Sequence, residues 1–381
     1  MKKKLAIIGA KDEQEPLVLK AKEMGIETHC FAWDKKEEDT YCKGIADFFH
    51  PISILDKEKI LEKCKEIKID GVTTILNDYA VPAVAYVAEN MGLPGNRYED
   101  MLIATCKYKA RQAMLKNGVK SPRFMFVQDG QIPDLKDFKY PLIVKPTDRA
   151  SSIGVMKIDD PEELQTAILR ARKQSIGGNV IVEEYVSGIE VSVDSISYNG
   201  IHHIFAVRGK ETTGAPYFVE IAHHVPSDLD IESSLKMKTE TQKALDALKI
   251  KFGACDTELK INEKGEVYLI EVNPRMGGDR TFDLISYSIG HDYVKLHINS
   301  ALGCWEEPEI VNKYYSGMFF LAKGYEWVKQ VIENKDSDPE IVEAKIVDED
   351  MKDIQSSFDR YGYFIYQSDR KRTKESFINK K

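Results

Sequence analysis

The residues best equipped for chemistry lie between Glu258 and Arg275, in the stretch ELKINEKGEVYLIEVNPR. Three oxygen donors, Glu258, Glu271 and Asn273, precede an arginine there. Donors of this kind suit Mg²⁺ or Mn²⁺ shared with nucleotide phosphates, so the chemistry implied is phosphoryl transfer. Alternation over 258–261 and 266–272, separated by Asn262-Glu263-Lys264-Gly265, predicts a β-hairpin. A period of two puts Val267, Leu269, Glu271 and Asn273 on one face of its second strand. A loop of two or four residues turns Glu258 onto that face, opposite or diagonal to Glu271, whereas three or five turns it away. Two carboxylates so placed repel unless one is protonated or a cation lies between them. The competing reading is a solvated hairpin with glutamates on its wet side. Asn273-Pro274-Arg275 favours the site, because proline ends the ladder and arginine can grip a phosphate or carboxylate with two N–H groups.

Two further segments carry chemistry. In YPLIVKPTDRASSIGV, residues 140–155, an apolar strand closes on Lys145 and runs into a serine-rich loop, Thr147 to Gly154. A lysine there suits an anion, and the loop's N–H and hydroxyl groups suit phosphate, although GxxxxGK[ST] is absent. A strand-end lysine reaching for water is the bland alternative. In VIVEEYVSGIEVSVDSI, residues 180–196, Glu183-Glu184-Tyr185-Val186 bridges two strands, with Glu190 in the second. Exposed backbone at such a bridge can read the edge of a base, and a plain hairpin is the alternative.

These residues need a scaffold. Strands at 4–8, 27–32 and 71–76 alternate with helices at 16–24, 57–67 and 81–91, a βαβ series that predicts a doubly wound parallel sheet. Only Gly9 stands where a dinucleotide fingerprint needs GxGxxG. Asn77, Asp78 and Tyr79 read as turn residues capping the next helix, with a small ligand at the strand ends as the other option. Gly92 to Asn96 breaks the series, and Lys107 to Lys116 reads as a helix ended by Asn117-Gly118. Beyond Trp305, strands at 314–321, 343–347 and 362–367 and helices or turns at 326–334 and 351–359 predict a small β-rich lid or dimerisation module.

At 381 residues, 43% hydrophobic and 30% charged, the chain has the composition of a soluble globular protein with two or three domains. A net charge of −8 argues against nonspecific nucleic-acid binding, and no apolar run reaches the length of a signal or membrane segment. Six scattered cysteines without CxxC spacing fit reduced thiols in a cytoplasm. The basic tail around Arg370-Lys371-Arg372 reads as a solvated terminus.

In their order, Lys107 before a helix, Lys145 at a strand end, the serine loop, EEYVSGIE, TEL and IEVNPR resemble the ATP-grasp superfamily. The flavour is that of carboxylate-amine ligases of the amino-acid ligase type, akin to carbamoyl-phosphate synthase and biotin carboxylase. The resemblance implies an α/β ATP-grasp fold: a Rossmann-like domain over 1–100, an ATP-grasp domain over 101–305 with lobes 107–182 and 183–305, and a C-terminal α+β module over 306–381. It implies ATP and two Mg²⁺ or Mn²⁺ ions. Lys107 and Lys145 would hold phosphates, with Ser151, Ser152 and Gly154 in the loop closing over them. Glu183 would meet the adenine amino group, Glu184, Tyr185 and Val186 would supply the hinge, and Glu190 would take the ribose. Glu258 and Glu271 would share one ion, Glu271 and Asn273 the other, and Arg275 would steady the transferred phosphoryl group. The single glycine in the phosphate loop departs from relatives with several.

The expected reaction converts a carboxylate, an amino acid or similar small acid, into an acyl phosphate from which an amine displaces phosphate. Arg208, Glu220, His223, Arg275, Gly277, Gly278 and Asp279 are the expected substrate contacts. Neither His202-His203 nor His223-His224 is expected to chelate zinc, because neighbours on a strand point to opposite faces. Alternatives are phosphorylation of bicarbonate or carbamate with partner proteins, and a nucleotide-binding regulatory protein without turnover. The expected partners are small acids and amines, with a homodimer as the family default.

Overall fold

In the computed structural model, which describes residues 2–128, 130–131, 133–149, 152–215, 217–348 and 350–378, the apolar run Lys4–Ile8 (β1) pairs in parallel with Glu27–Phe31 (β2). Phe48–His50 (β3), a strand the alternation does not reveal, and Gly71–Thr73 (β4) complete a parallel sheet of order β3-β2-β1-β4. Parallel pairing demands crossovers, supplied by helices Glu15–Glu23 (α1) and Lys57–Ile67 (α2), the latter capped by Asp56 accepting from the Lys59 N–H. Val81–Met91 (α3) begins with proline in its first turn and ends at Gly92, whose φ of 65 suits the left-handed cap. Beyond β1, where a dinucleotide would need room, the buried Gln14 side chain fills the space, donating to the Ile75 carbonyl at 3.0 Å.

After Tyr98–Ala104 (α4) and Lys107–Lys116 (α5) comes an antiparallel sheet of Phe124–Val127 (β5), Leu142–Pro146 (β6), Met156–Ile158 (β7) and Val180–Glu184 (β8), in the order β5-β8-β6-β7. Leu142, Val144, Val180 and Val182 pack with Ala167, Ile168 and Ala171 of helix Leu164–Gln174 (α6). The period of two therefore turns Lys145 and Glu183 to the opposite face, where the register Ile143↔Glu183 and Lys145↔Ile181 makes them diagonal neighbours.

The third sheet has eight strands. Ile189–Tyr198 (β9), Ile201–Thr212 (β10), Glu220–Val225 (β11), Gly253–Ile261 (β12) and Val267–Asn273 (β13) are joined by Tyr315–Leu321 (β14), Ile341–Ile346 (β15) and Gly362–Ser368 (β16), in the order β13-β12-β9-β10-β11-β14-β16-β15. The C-terminal strands thus extend this sheet through the β11–β14 ladder and do not build a sheet of their own. Asp230-capped helix Ile231–Ala247 (α7) packs Met237, Ala244 and Leu245 against Leu259, Val267, Leu269 and Val272. Between β8 and β9 the chain passes so close to β12 that a Cβ on Gly188 would lie 2.0 Å from the Ile261 carbonyl oxygen. Among the described residues no helix is long and apolar enough to cross a membrane.

Candidate active site

The hairpin reaches the expected arrangement by an unexpected route. Ile261 pairs with Val267, so five residues form the loop, and a regular ladder would set Glu258 opposite Ile270. Instead the register shifts between Glu258 and Leu259: Leu259 pairs with Leu269, Ile270 is extra, and Glu258 pairs with Glu271. The bulge reverses the alternation. Val267, Leu269 and Val272 join the core beneath α7, so Glu271 and Asn273 lie on the other face, with Glu258 and Asp256 opposite them. The expectation that Val267 and Leu269 share a face with Glu271 and Asn273 is therefore incorrect, because one inserted residue shifts the period by one step.

Cations crowd this acidic face. The Lys107 ammonium pairs with Glu271, and although burial opposes it, Glu271, Asp78 and Glu258 hold its pKa above the ordinary lysine value. Lys210, which the sequence reading passed over, is buried in β10 with Nζ 2.5 Å from Glu190, 3.4 Å from Glu220 and 3.7 Å from Glu258. Lys260 approaches the other Glu190 oxygen at 3.1 Å. Burial works against the Glu190 carboxylate, but Lys210 and Lys260 outweigh it and bring its pKa down to about 2. Glu258 behaves oppositely: burial, with Glu190 and Glu271 nearby, pushes it up to about 7 despite Lys210. A carboxyl whose pKa is raised by burial, and further by carboxylates around it, marks a site short of positive charge. The donor set of Glu258, Glu271 and Asn273 fits a hard divalent cation there.

Arg275 extends from the strand end to Asp78 of the N-terminal layer, with Nε and Nη2 donating to the two carboxylate oxygens at 3.0 and 3.2 Å. Asn77 accepts from the Ala80 N–H, so this loop is turn chemistry at one residue and site chemistry at the next. Lys107, Asp78, Arg149, Glu271 and Asn273 contribute to the wall of a cavity of about 340 Å³.

On the neighbouring lobe the buried Glu183 carboxylate is gripped from both sides, by Lys145 Nζ at 2.6 Å and Arg111 Nε at 2.6 Å. These cations overcome the cost of burial and hold it at about 2. Each Glu183 oxygen thus has a cationic partner. Glu184 accepts from the Lys139 N–H at 3.0 Å, and the Tyr185 N–H donates to the Pro141 carbonyl at 2.9 Å. The Tyr185 ring lies between Lys157 and Lys260, 5.3 and 4.8 Å from its centroid, and Val186 follows it toward β9. In the loop expected to close over phosphate, Ser151 lies outside the described residues. Ser152 accepts from the Val155 N–H at 3.1 Å, and Gly154 has φ +77 with Pro146 and Gln174 too close for a Cβ.

The residues expected to touch substrate gather beside this face. Arg208 is buried, donating to Asp194 at 3.0 Å and Asp256 at 3.2 Å, with His223 Nδ1 at 3.2 Å. Burial, with Asp256 beside it, raises Asp194 to about 6. Ligand atoms of Glu220, His223 and Asp279 lie within 4.8 Å of one another. Burial is the main cause of the lowered His223 pKa. Arg360, contributed by the chain just before β16, donates to both Asp279 oxygens at 2.7 and 2.5 Å and lies over the Phe320 ring. Burial of Asp279 is outweighed by Arg360 and His223, so its carboxyl is held far below the usual range. Gly277 comes close to Arg208, while Gly278 has open space beside it. The paired histidines point apart as alternation requires: His202 meets Ser197 and Asp246, His203 meets Glu307, and His224 meets Glu211.

A parallel N-terminal sheet, a four-stranded antiparallel sheet carrying Lys145 and an eight-stranded antiparallel sheet carrying Glu258, Glu271 and Lys210 together make the ATP-grasp fold. The chain carries an ATP-grasp domain, whose family model matches residues 138–283. It is similar to an alanine–anticapsin ligase of Bacillus amyloliquefaciens, 31% identical over 300 residues, or 68% of this chain and 62% of that protein. The chain thus spans less than two thirds of the length of the curated relatives it matches first. Among solved structures, an L-amino acid ligase from Bacillus licheniformis superposes with a TM-score of 0.79 at 24% identity, covering 97% of this chain and 94% of that one. An N5-carboxyaminoimidazole synthetase from Staphylococcus aureus, crystallised with ADP, superposes with a TM-score of 0.76 at 18% identity, covering 97% and 95%.

Proposed function

We propose that this protein is an ADP-forming ligase that phosphorylates the carboxylate of an amino acid or similar small acid and joins it to an amine. The single observation carrying the reading is the opposition of Glu258 and Glu271, with Asn273 and Arg275 continuing the same edge. Two Mg²⁺ ions held by Glu258, Glu271 and Asn273 would neutralise charge on the phosphoryl group in transfer. Lys107, paired with Glu271 here, would be free to hold phosphate once that carboxylate served an ion. Arg275, oriented by the two-point grip of Asp78, would steady the acyl phosphate. Glu220 and His223 suit a substrate ammonium, and Arg208 or Arg360 a carboxylate. No protein nucleophile is required, since the acyl phosphate is already activated toward the amine. The alanine–anticapsin ligase relative supports the amino-acid reading.

The test is release of ADP and phosphate from Mg²⁺-ATP across a panel of amino acids, dipeptides, small acids and bicarbonate, with Glu271→Ala as the control. Release requiring both an acid and an amine, and abolished in the variant, supports the ligase. Release with bicarbonate alone moves the assignment to carboxyl- or carbamoyl-phosphate formation. Tight ATP binding without turnover on any panel member favours a regulatory role.

A further inference from the structure

Arg111 has no part in the metal and phosphate roles above, yet it is 2% exposed and each nitrogen of its guanidinium has an acceptor. Nε donates to Glu183 at 2.6 Å, Nη1 to the Leu269 carbonyl at 2.9 Å, and Nη2 to the Ile270 carbonyl. Those carbonyls belong to the bulge that turns Glu271 toward the site. We propose that Arg111 is the positioning residue that fixes the metal-binding carboxylate of Glu271 relative to the phosphate-binding ammonium of Lys145, holding the Ile270 bulge through its Nη groups and Glu183 through Nε. This rests on the nucleotide-and-metal reading of the site, and goes beyond it by naming what sets the distance between the two halves.

A bulge removes ladder hydrogen bonds and leaves backbone groups that must find other partners. Here Arg111 takes two carbonyls, and the Leu269 N–H donates to the Lys120 carbonyl at 2.9 Å. Helix α5 serves both sides of the arrangement. Lys107 in its first turn pairs with the Glu271 side chain, and Arg111, four residues on and so on the same helix face, holds the peptide immediately before Glu271. The second Glu183 oxygen binds Lys145 at 2.6 Å, so a buried path of one guanidinium and one carboxylate joins the two lobes. Only a planar fork with five donors can satisfy acceptors in these separate directions at once; a lysine is one point charge on a flexible stem.

The experiment uses the full chain, ADP and Mn²⁺, reading metal retention by electron paramagnetic resonance and folding by thermal unfolding. Arg111→Lys is expected to weaken Mn²⁺ retention in the ADP complex about tenfold, as loss of an outer partner to a metal ligand does, while the folded chain persists. Glu183→Gln, which spares the grip on the bulge, is expected to weaken metal-free ADP binding with little change in Mn²⁺ retention. Leu245→Ala, a cavity in the α7 core beneath the hairpin that does not line the site, controls for general loosening. The inference is overturned if Arg111→Lys retains Mn²⁺ as the parent chain does, or loses it no more than Leu245→Ala. It is also overturned if Glu183→Gln loses metal and nucleotide equally, a result that decides the matter even if the Arg111 variant fails to fold. A parent chain that retains no Mn²⁺ with ADP overturns the nucleotide reading and this inference together, whereas loss confined to the variants leaves that reading standing.

Discussion

Glu258 lies directly opposite Glu271 across the β12–β13 ladder, with Ile270 bulged out beside them. The five-residue loop alone would turn Glu271 into the α7 core, and the bulge alone, on a four-residue loop, would do the same. Together they cancel. The outcome is a pair of facing carboxylates buried among Glu190, Asp256 and Lys210, in which burial and like charge keep Glu258 near pKa 7.

The first consequence is a pH-dependent metal affinity. A cation must displace the Glu258 proton below pH 7, so the apparent affinity for Mn²⁺ is expected to fall about tenfold per pH unit as pH drops from 7 toward 5, and to level off above 8. Titration calorimetry in buffers of different ionisation enthalpy checks this, since proton release on binding should be near one at pH 6 and near zero at pH 8.5. A flat profile would show that Glu258 does not ligate the ion.

Without metal the same group should cost stability. Its folded pKa, about 7, lies above the ordinary 4.5, so between those values the folded chain binds more protons than the unfolded one and its stability falls as pH rises. Glu258→Gln removes the charge, and in chelator at pH 8 the variant is expected to be more stable by about 3 kcal/mol, the advantage vanishing near pH 4.5. Urea unfolding at both pH values measures the difference. Added Mg²⁺ should reverse the order, because only the parent chain gains a ligand.

Alternation and punctuation made most of the strands and helices legible, because these depend on neighbours in sequence. The hairpin parity was not legible: Ile270 looks like any strand residue, and its bulge is fixed by Arg111, far away in the chain. Arg111 itself reads as a good helix former on a wet face, Lys210 as a polar residue near a strand end, and Asp78 as a turn residue. Each acquires its role from a partner on another element, Glu183, Glu190 and Arg275 respectively. Arg360 was hidden for the same reason. Its segment reads as a loop before the last strand, and only the joining of β14 and β16 to the large sheet brings it to Asp279.

Lys210 is the cation on which the acidic face depends before any metal arrives. Lys210→Met keeps the stem but leaves Glu190, Glu220 and Glu258 without their shared ammonium. Breaking a buried pair in this way is expected to cost about 3 kcal/mol by urea unfolding. Mg²⁺ should restore part of the loss, and a variant as stable as the parent in chelator would mean that the carboxylates simply protonate.

Arg275 offers the cleanest separation of binding from chemistry. Its guanidinium is aimed by Asp78 on a different layer, so its position is set by the packing of the N-terminal sheet against the hairpin end and not by the nucleotide. A group that meets only the transferring phosphoryl contributes to the transition state and little to the bound ground state. Arg275→Lys retains charge but loses the two-point grip, and is expected to lower kcat about a hundredfold with ADP affinity nearly unchanged. Asp78→Asn leaves the arginine in place but less well aimed, and a loss of about tenfold is expected. Turnover and equilibrium ADP binding, measured side by side on both variants, decide the point. If affinity falls in step with turnover, Arg275 holds the nucleotide itself, and the group that steadies the phosphoryl in transfer must be sought at Lys107 or Lys145.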